Sequence, residues 1–96
     1  MWIRINYYGH FRTKFHKRSE KIQLSKNANL YDLLLLLIER YGETFKIDIF
    51  NPLDTGIKDD VLLSINDVPY SQLKALKTKL NNADEIAFMP LFSGGG

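Results

Sequence analysis

The chain has no cysteine. That excludes a disulfide framework, a thiolate-held metal and a cysteine nucleophile, and it accords with an expected cytoplasmic location. Histidine is scarce as well: His10 and His16 are the only two. They do not stand at helical ligand spacing and have no clustered carboxylates beside them, so both are expected on surface loops and no metal site is expected. The longest apolar run, residues 33–38, falls far short of the ~20 residues that cross a bilayer. Met1-Trp2-Ile3-Arg4 begins in strand-like alternation rather than in a signal-peptide pattern. Neither a membrane nor a nucleic acid is expected as a partner. The formal net charge is only +2, and a nucleic-acid binder concentrates its cations on one face. The nearest candidate, Arg12-Thr13-Lys14-Phe15-His16-Lys17-Arg18, is short and is read as a solvated turn in preference to a phosphate contact.

Catalytic constellations are missing too. Ser64 and Ser71 have no triad around them. Asp59-Asp60 reads as a solvated loop, and Asp84-Glu85 as a turn leading into a strand, not as an acid–base pair. The glycine run is terminal and precedes no helix, so it is no phosphate cradle. No catalytic residue is assigned. The chain is expected to be a carrier or substrate on which partner enzymes act.

What is present fits one globular domain. The chain has 96 residues, 45% of them hydrophobic and 25% charged, enough for one core and too few for two. Ile3, Ile5 and Tyr7 alternate with Arg4 and Asn6, which predicts a half-buried strand over residues 2–8. Gly9 opens the basic turn, and a second strand over residues 17–24 pairs antiparallel with the first. Asn29 is a helix N-cap with Asp32 at the third helical position. Leu30, Leu33, Leu34, Leu37, Ile38 and Tyr41 then form one apolar stripe, closed by Gly42 as a left-handed stop. Leu35 and Leu36 lie off that stripe. They are either covered by the following loop, the favoured reading, or left as a contact patch.

Residues 46–50 read as a helical turn or a short strand, and residues 51–56 as a loop. Val61-Leu62-Leu63-Ser64-Ile65 is a continuous apolar run, expected as a central strand buried on both sides. Residues 66–69 turn the chain, and residues 70–75 are ambiguous, with room for a helical turn. Residues 76–80 are expected as an edge strand guarded by lysines. Residues 81–84 form a tight turn, and residues 85–92 the last strand. A mixed sheet with one long helix on one face buries the leucine stripe.

After that strand come Ser93-Gly94-Gly95-Gly96. Glycine lacks Cβ, so such a run can thread a channel too narrow for other residues. On its own it fits a frayed terminus or leftover linker equally well.

The order of elements, Ala28-Asn29-Leu30-Tyr31-Asp32-Leu33-Leu34, Glu39-Arg40-Tyr41-Gly42 and Val61-Leu62-Leu63-Ser64-Ile65-Asn66 resemble the β-grasp, ubiquitin-like sulfur-carrier family. That family includes the MoaD-like small subunit of molybdopterin synthase, the thiamin sulfur carrier ThiS and small ubiquitin-like modifiers. The most specific likeness is Leu80-Asn81-Asn82-Ala83-Asp84-Glu85-Ile86-Ala87-Phe88-Met89-Pro90 followed by Ser93 and glycines.

The resemblance implies an α+β β-grasp domain over residues 1–92 and a flexible glycine tail over residues 93–96. It implies a carrier activated by adenylation of its terminal glycine, then thiocarboxylated, donating sulfur in molybdopterin synthesis. The alternative is a modifier conjugated to target lysines, and a non-conjugated interaction module stands behind both. No cofactor is bound by the chain itself; ATP and magnesium belong to a ubiquitin-activating-type adenylating enzyme. The further partner is the large subunit of molybdopterin synthase or the target protein.

Gly96, Gly95 and Gly94 are the implied reactive end, and Phe92, Leu91 and Phe88 the candidate partner contacts. Two departures from the family pattern stand out. Three glycines replace the usual two, so either Gly96 reacts or Gly95 does after trimming. Met89-Pro90-Leu91 replaces a common double proline.

Overall fold

Alternation in the first residues builds the strand expected there. In a computed structural model, which describes residues 1–51 and 56–91, β1 covers Trp2–Tyr7 with Ile3, Ile5 and Tyr7 buried. β2 (Ser19–Gln23) pairs antiparallel with it, Ile3 opposite Ile22 and Ile5 opposite Glu20.

The segment between them is not the basic turn that was expected. It holds a helix, α1 (His10–Phe15), with Phe11 and Phe15 buried one turn apart. Phe15 sits 5.2 Å, ring centre to ring centre, from each of Tyr7, Tyr41 and Phe45. The aromatic pair one turn apart was the overlooked helical signal. The cations between them face outward: Arg12 donates to the Tyr7 carbonyl (2.8 Å) and Lys14 pairs with Asp48 (2.6 Å). His10 and His16 are exposed, His10 on this helix and His16 as its left-handed cap.

The main helix, α2 (Leu30–Tyr41), starts as predicted. Asn29 and Asp32 form a reciprocal capping box, each bond 2.9 Å. Leu30, Leu33, Leu34 and Leu37 are fully buried; Ile38 and Tyr41 are half-buried at the margin. Gly42 ends the helix with φ +83° as expected of glycine, but ψ of −163° takes it out of the left-handed helical region. The chain therefore breaks straight into α3 (Glu43–Ile49), which resolves residues 46–50 as helix and buries Phe45 and Ile49. Leu36 is half-buried and Leu35 is exposed, so the loop does not cover Leu35.

β3 (Val61–Ile65) buries Val61, Leu63 and Ile65 on the helix side, while Leu62 and Ser64 remain half-exposed on the other face. It is not the central strand. The sheet order is β2-β1-β5-β3-β4, which puts the last strand, β5 (Glu85–Pro90), at the centre. β5 runs parallel to β1 and antiparallel to β3.

The edge on the β3 side is β4 (Val68–Pro69), not residues 76–80. Asn66 and Asp67 both take positive φ (51° and 68°), the geometry of a tight hairpin turn, and reverse the chain at once. Pro69, with no N–H, stops the edge early. Residues 70–80 then cross as two short 3-10 turns, Tyr70–Gln72 and Ala75–Lys77. They end by pairing with the start of α2: Leu30 N–H donates to the Thr78 carbonyl (2.8 Å) and Leu80 N–H to the Ala28 carbonyl (3.0 Å). The result is the expected mixed β-grasp sheet with its helices on one face. Among the described residues no helix is long and apolar enough to cross a membrane.

Candidate functional site at the end of the central strand

β5 alternates as a strand covered on one face must. Ile86, Phe88 and Pro90 point into the core; Ala87 and Met89 point to the open face. Phe88 is fully buried, stacked on Tyr7 (5.9 Å) and edge-on to Phe45 (5.8 Å). It is therefore a core residue, and its proposed contact with a partner is corrected: no partner reaches it in the folded domain. Leu91 is half exposed, at 50%, as a partner contact requires. Phe92, Ser93 and the glycines Gly94, Gly95 and Gly96 lie outside the described residues.

The root of the tail is fixed from both sides. Tyr8 N–H donates to the Phe88 carbonyl (3.0 Å) on one side. Leu91 N–H donates to the Asp60 carbonyl (2.9 Å) on the other, carrying the ladder past Pro90. Gly9 lies against Pro90 so closely that a Cβ on it would stand 2.7 Å from Pro90 Cγ, and its φ of +59° also favours glycine. The turn into α1 thus seats the last residue of β5.

Sequence reasoning missed the surface around this root. Met89 lies opposite Leu62 on the open face, and with Leu91 the two make a small apolar surface beside the exit of the chain. The signal was available. Phe88 shares its face with Ile86, so Met89, not Phe88, had to be the outward residue.

A half-buried carboxylate ties the same end of the sheet to α2. Glu20 Oε2 accepts from the Tyr7 hydroxyl (2.7 Å) and the Tyr41 hydroxyl (2.5 Å), while Oε1 faces Arg40 (3.0 Å) and Lys17 (3.6 Å). Burial alone pushes the Glu20 carboxyl up. The bonds from Tyr41 and Tyr7 and the charges of Lys17 and Arg40 outweigh it and hold the carboxyl below its ordinary value. Burial and the neighbouring carboxylate push both tyrosines up.

Asp84 supports the turn before β5, accepting from the Asn66 amide (2.8 Å) and the Asn81 N–H (2.7 Å). Asp59 and Asp60 are exposed. Among the described residues no group of His, Asp or Glu is placed to hold a metal ion.

A five-stranded mixed sheet grasping one long helix, with its central strand feeding the terminal segment, defines a protein of the β-grasp, ubiquitin-like class. The ThiS family model matches residues 5–95, and the chain belongs to that family. That family is one of small sulfur carriers, and the fold is one that solved small modifier proteins share. A search of curated proteins finds no match.

Three solved structures illustrate the fold. SAMP1 from Haloferax volcanii is 19% identical, with a TM-score of 0.80 over 99% of this chain and 100% of that one. A putative molybdopterin converting factor, subunit 1, from Pyrococcus furiosus is 22% identical, with a TM-score of 0.76 over 96% and 99%. Urm1 from Trypanosoma brucei is 18% identical, with a TM-score of 0.79 over 98% and 95%. At such identities the likeness is one of fold.

Proposed function

We propose that this protein carries sulfur on its terminal glycine and donates it in molybdopterin synthesis. The carrying observation is that the rigid central strand delivers the chain, through exposed Leu91, to the run Ser93-Gly94-Gly95-Gly96. A free carboxylate is a poor acyl donor. An adenylating enzyme using ATP and magnesium would let the glycine carboxylate attack the α-phosphorus and release pyrophosphate. Sulfide attack on the acyl carbon then expels AMP and leaves a thiocarboxylate. The domain's part is to present the end. Met89, Leu62 and Leu91 offer the apolar surface on which the activating enzyme and the large synthase subunit dock in turn, and the glycines enter the active site of each. Membership of the ThiS family and the likeness to a putative molybdopterin converting factor subunit support this reading.

The test is the intact mass of the protein after incubation with its adenylating enzyme, ATP and sulfide. The expected gain is one oxygen replaced by one sulfur at the terminal residue, and the intact mass of the protein isolated from its own cells reports whether Gly96 or Gly95 ends the mature chain. An unchanged mass under conditions that convert a known carrier refutes the proposal.

The likeness to SAMP1 and Urm1 keeps a second reading: conjugation of the same activated glycine to lysines of other proteins. Lysine peptides bearing a glycine remnant from this chain, recovered from cells, would establish it.

A further inference from the structure

Leu35 and Leu36 have no part in the chemistry above. With Asp32 and Glu39 they form a second stripe along α2 at helical spacing, and that stripe walls a groove of about 560 Å³. The facing wall is Gln23 and Leu24, where β2 ends, and the loop to Ala28.

β2 is an edge strand. In an antiparallel ladder, alternate residues turn their backbone groups to the neighbour. Tyr7 N–H donates to the Arg18 carbonyl (2.8 Å), and Met1 and Leu24 exchange both bonds (2.7 and 2.8 Å). Counting by twos, Glu20 and Ile22 also face β1. The N–H and C=O groups of Ser19, Lys21 and Gln23 therefore point away from the sheet. An open edge of this kind accepts an extended chain.

Charge selects the occupant. Arg18, Lys21 and Lys26 are exposed along this edge. The acid of β2, Glu20, is enclosed by Tyr7, Tyr41, Arg40 and Lys17. Asp32 is engaged in the capping box, leaving Glu39 as the acid on the helix wall. A second copy of this chain fits poorly: the register that pairs the whole of β2 with itself sets Lys21 against Lys21.

We propose that the groove between β2 and α2 is a second docking surface, which takes an extended acidic segment of another protein as an added strand on β2. Alternate apolar side chains of that segment seat against Leu24, Leu35 and Leu36. The intervening acidic side chains lie on the face of Lys21, which pairs with Arg4 on the open side of the sheet. β1 and β5 are parallel and β2 is antiparallel, so the groove lies at the end of the sheet opposite Leu91. Occupancy here leaves Leu91 uncovered, and the proposal does not depend on the tail's chemistry.

The test is a titration of isotope-labelled protein with the acetylated, amidated peptide Val-Asp-Val-Thr-Val-Asp-Val, followed through backbone amide resonances. Saturable shifts are expected at Ser19, Lys21, Gln23 and Leu35. Leu35→Glu should weaken binding about tenfold or more. Lys21→Glu, or lysine in place of aspartate in the peptide, should weaken it about two- to fivefold. Met89→Glu on the open face should leave it unchanged. The same spectra report that each variant is folded. Shifts confined to the surface of Leu62, Met89 and Leu91, no saturable shift at millimolar peptide, or shifts of the β2 amides with protein concentration alone would overturn the proposal, the last by showing a second copy in the groove.

Discussion

Replacing Glu20 by glutamine tests whether one carboxylate ties β1, β2 and α2 together. The side chain is 8% exposed and meets four partners, with both tyrosine hydroxyls on one oxygen and both cations near the other. Glutamine keeps the shape and loses the charge. Its amide nitrogen must also face either the hydroxyls or the cations. A hydrogen bond to a charged group contributes about 1.5–3 kcal/mol and a neutral one about 0.5–1.5. Two tyrosine bonds therefore lose about 1 kcal/mol each. The ion pairs reach exposed ends of Arg40 and Lys17 and add at most about 1 kcal/mol between them. The expected loss is about 2–3 kcal/mol near neutral pH, read from urea unfolding. At about 4–8 °C per kcal/mol for a domain of this size, the melting temperature should fall by about 10–20 °C.

The pH dependence fixes the cause. Glu20 titrates below its ordinary 4.5 in the folded state. Its contribution is thus fully present above about pH 4.5 and is lost as pH falls through the depressed folded value. The stability gap between wild type and Glu20→Gln should close on acidification through that window, since the protonated acid and the amide then resemble each other. The other carboxylates are common to both proteins and cancel. A gap under about 0.5 kcal/mol near neutral pH, or one that persists unchanged at pH 3, would refute the reasoning.

Three further outcomes are expected. Gly9→Ala introduces a Cβ 2.7 Å from Pro90 Cγ at φ +59°. It should cost about 2–3 kcal/mol and speed hydrogen exchange at the Leu91 amide, which bonds to Asp60. Phe88→Ala should cost about 3–5 kcal/mol in denaturant titration, as removal of a fully buried ring does. A loss of partner affinity with stability intact would instead return Phe88 to the surface. Asn29→Ala removes one half of the capping box and should cost about 1 kcal/mol, seen as a lower urea midpoint with an unchanged slope.

Elements with one clear period were legible in the sequence. Ile3, Ile5 and Tyr7 alternate, and Asn29 with the leucine stripe announces α2 with its cap and its buried face. α1 was hidden because cations fill the positions between Phe11 and Phe15, so the local composition reads as a turn while the two rings do the packing. Residues 76–80 have the composition of an edge strand. The Asn66–Asp67 hairpin takes the edge first, and their own hydrogen bonds go to the start of α2 instead. Which strand lies at the centre was not legible from β3, because a continuous apolar run looks the same whether both faces are covered or one is half-open. The candidate site was legible as a stretch of chain but not as a surface. Phe88, Leu91 and Phe92 were grouped by apolarity, whereas the pleat sends Phe88 inward and Met89 outward.

The central position of β5 has a mechanical consequence for any enzyme that draws in the terminal segment. Residues Glu85–Phe88 pair with β1 and Ile86–Pro90 with β3, so the strand is held along both edges. Peeling it would break two ladders and expose Ile86 and Phe88 together. A partner's binding energy is then spent on positioning the segment beyond Leu91, not offset by unfolding of the strand behind it. Had the chain ended on a two-residue edge strand such as β4, docking would have competed with fraying. The same topology leaves the open backbone edge at β2, one strand removed from β5 and with its groove at the far end of the sheet. The rigid handle and the free edge thus fall on different strands, and a protein that uses both can be held by one partner while another works on its end.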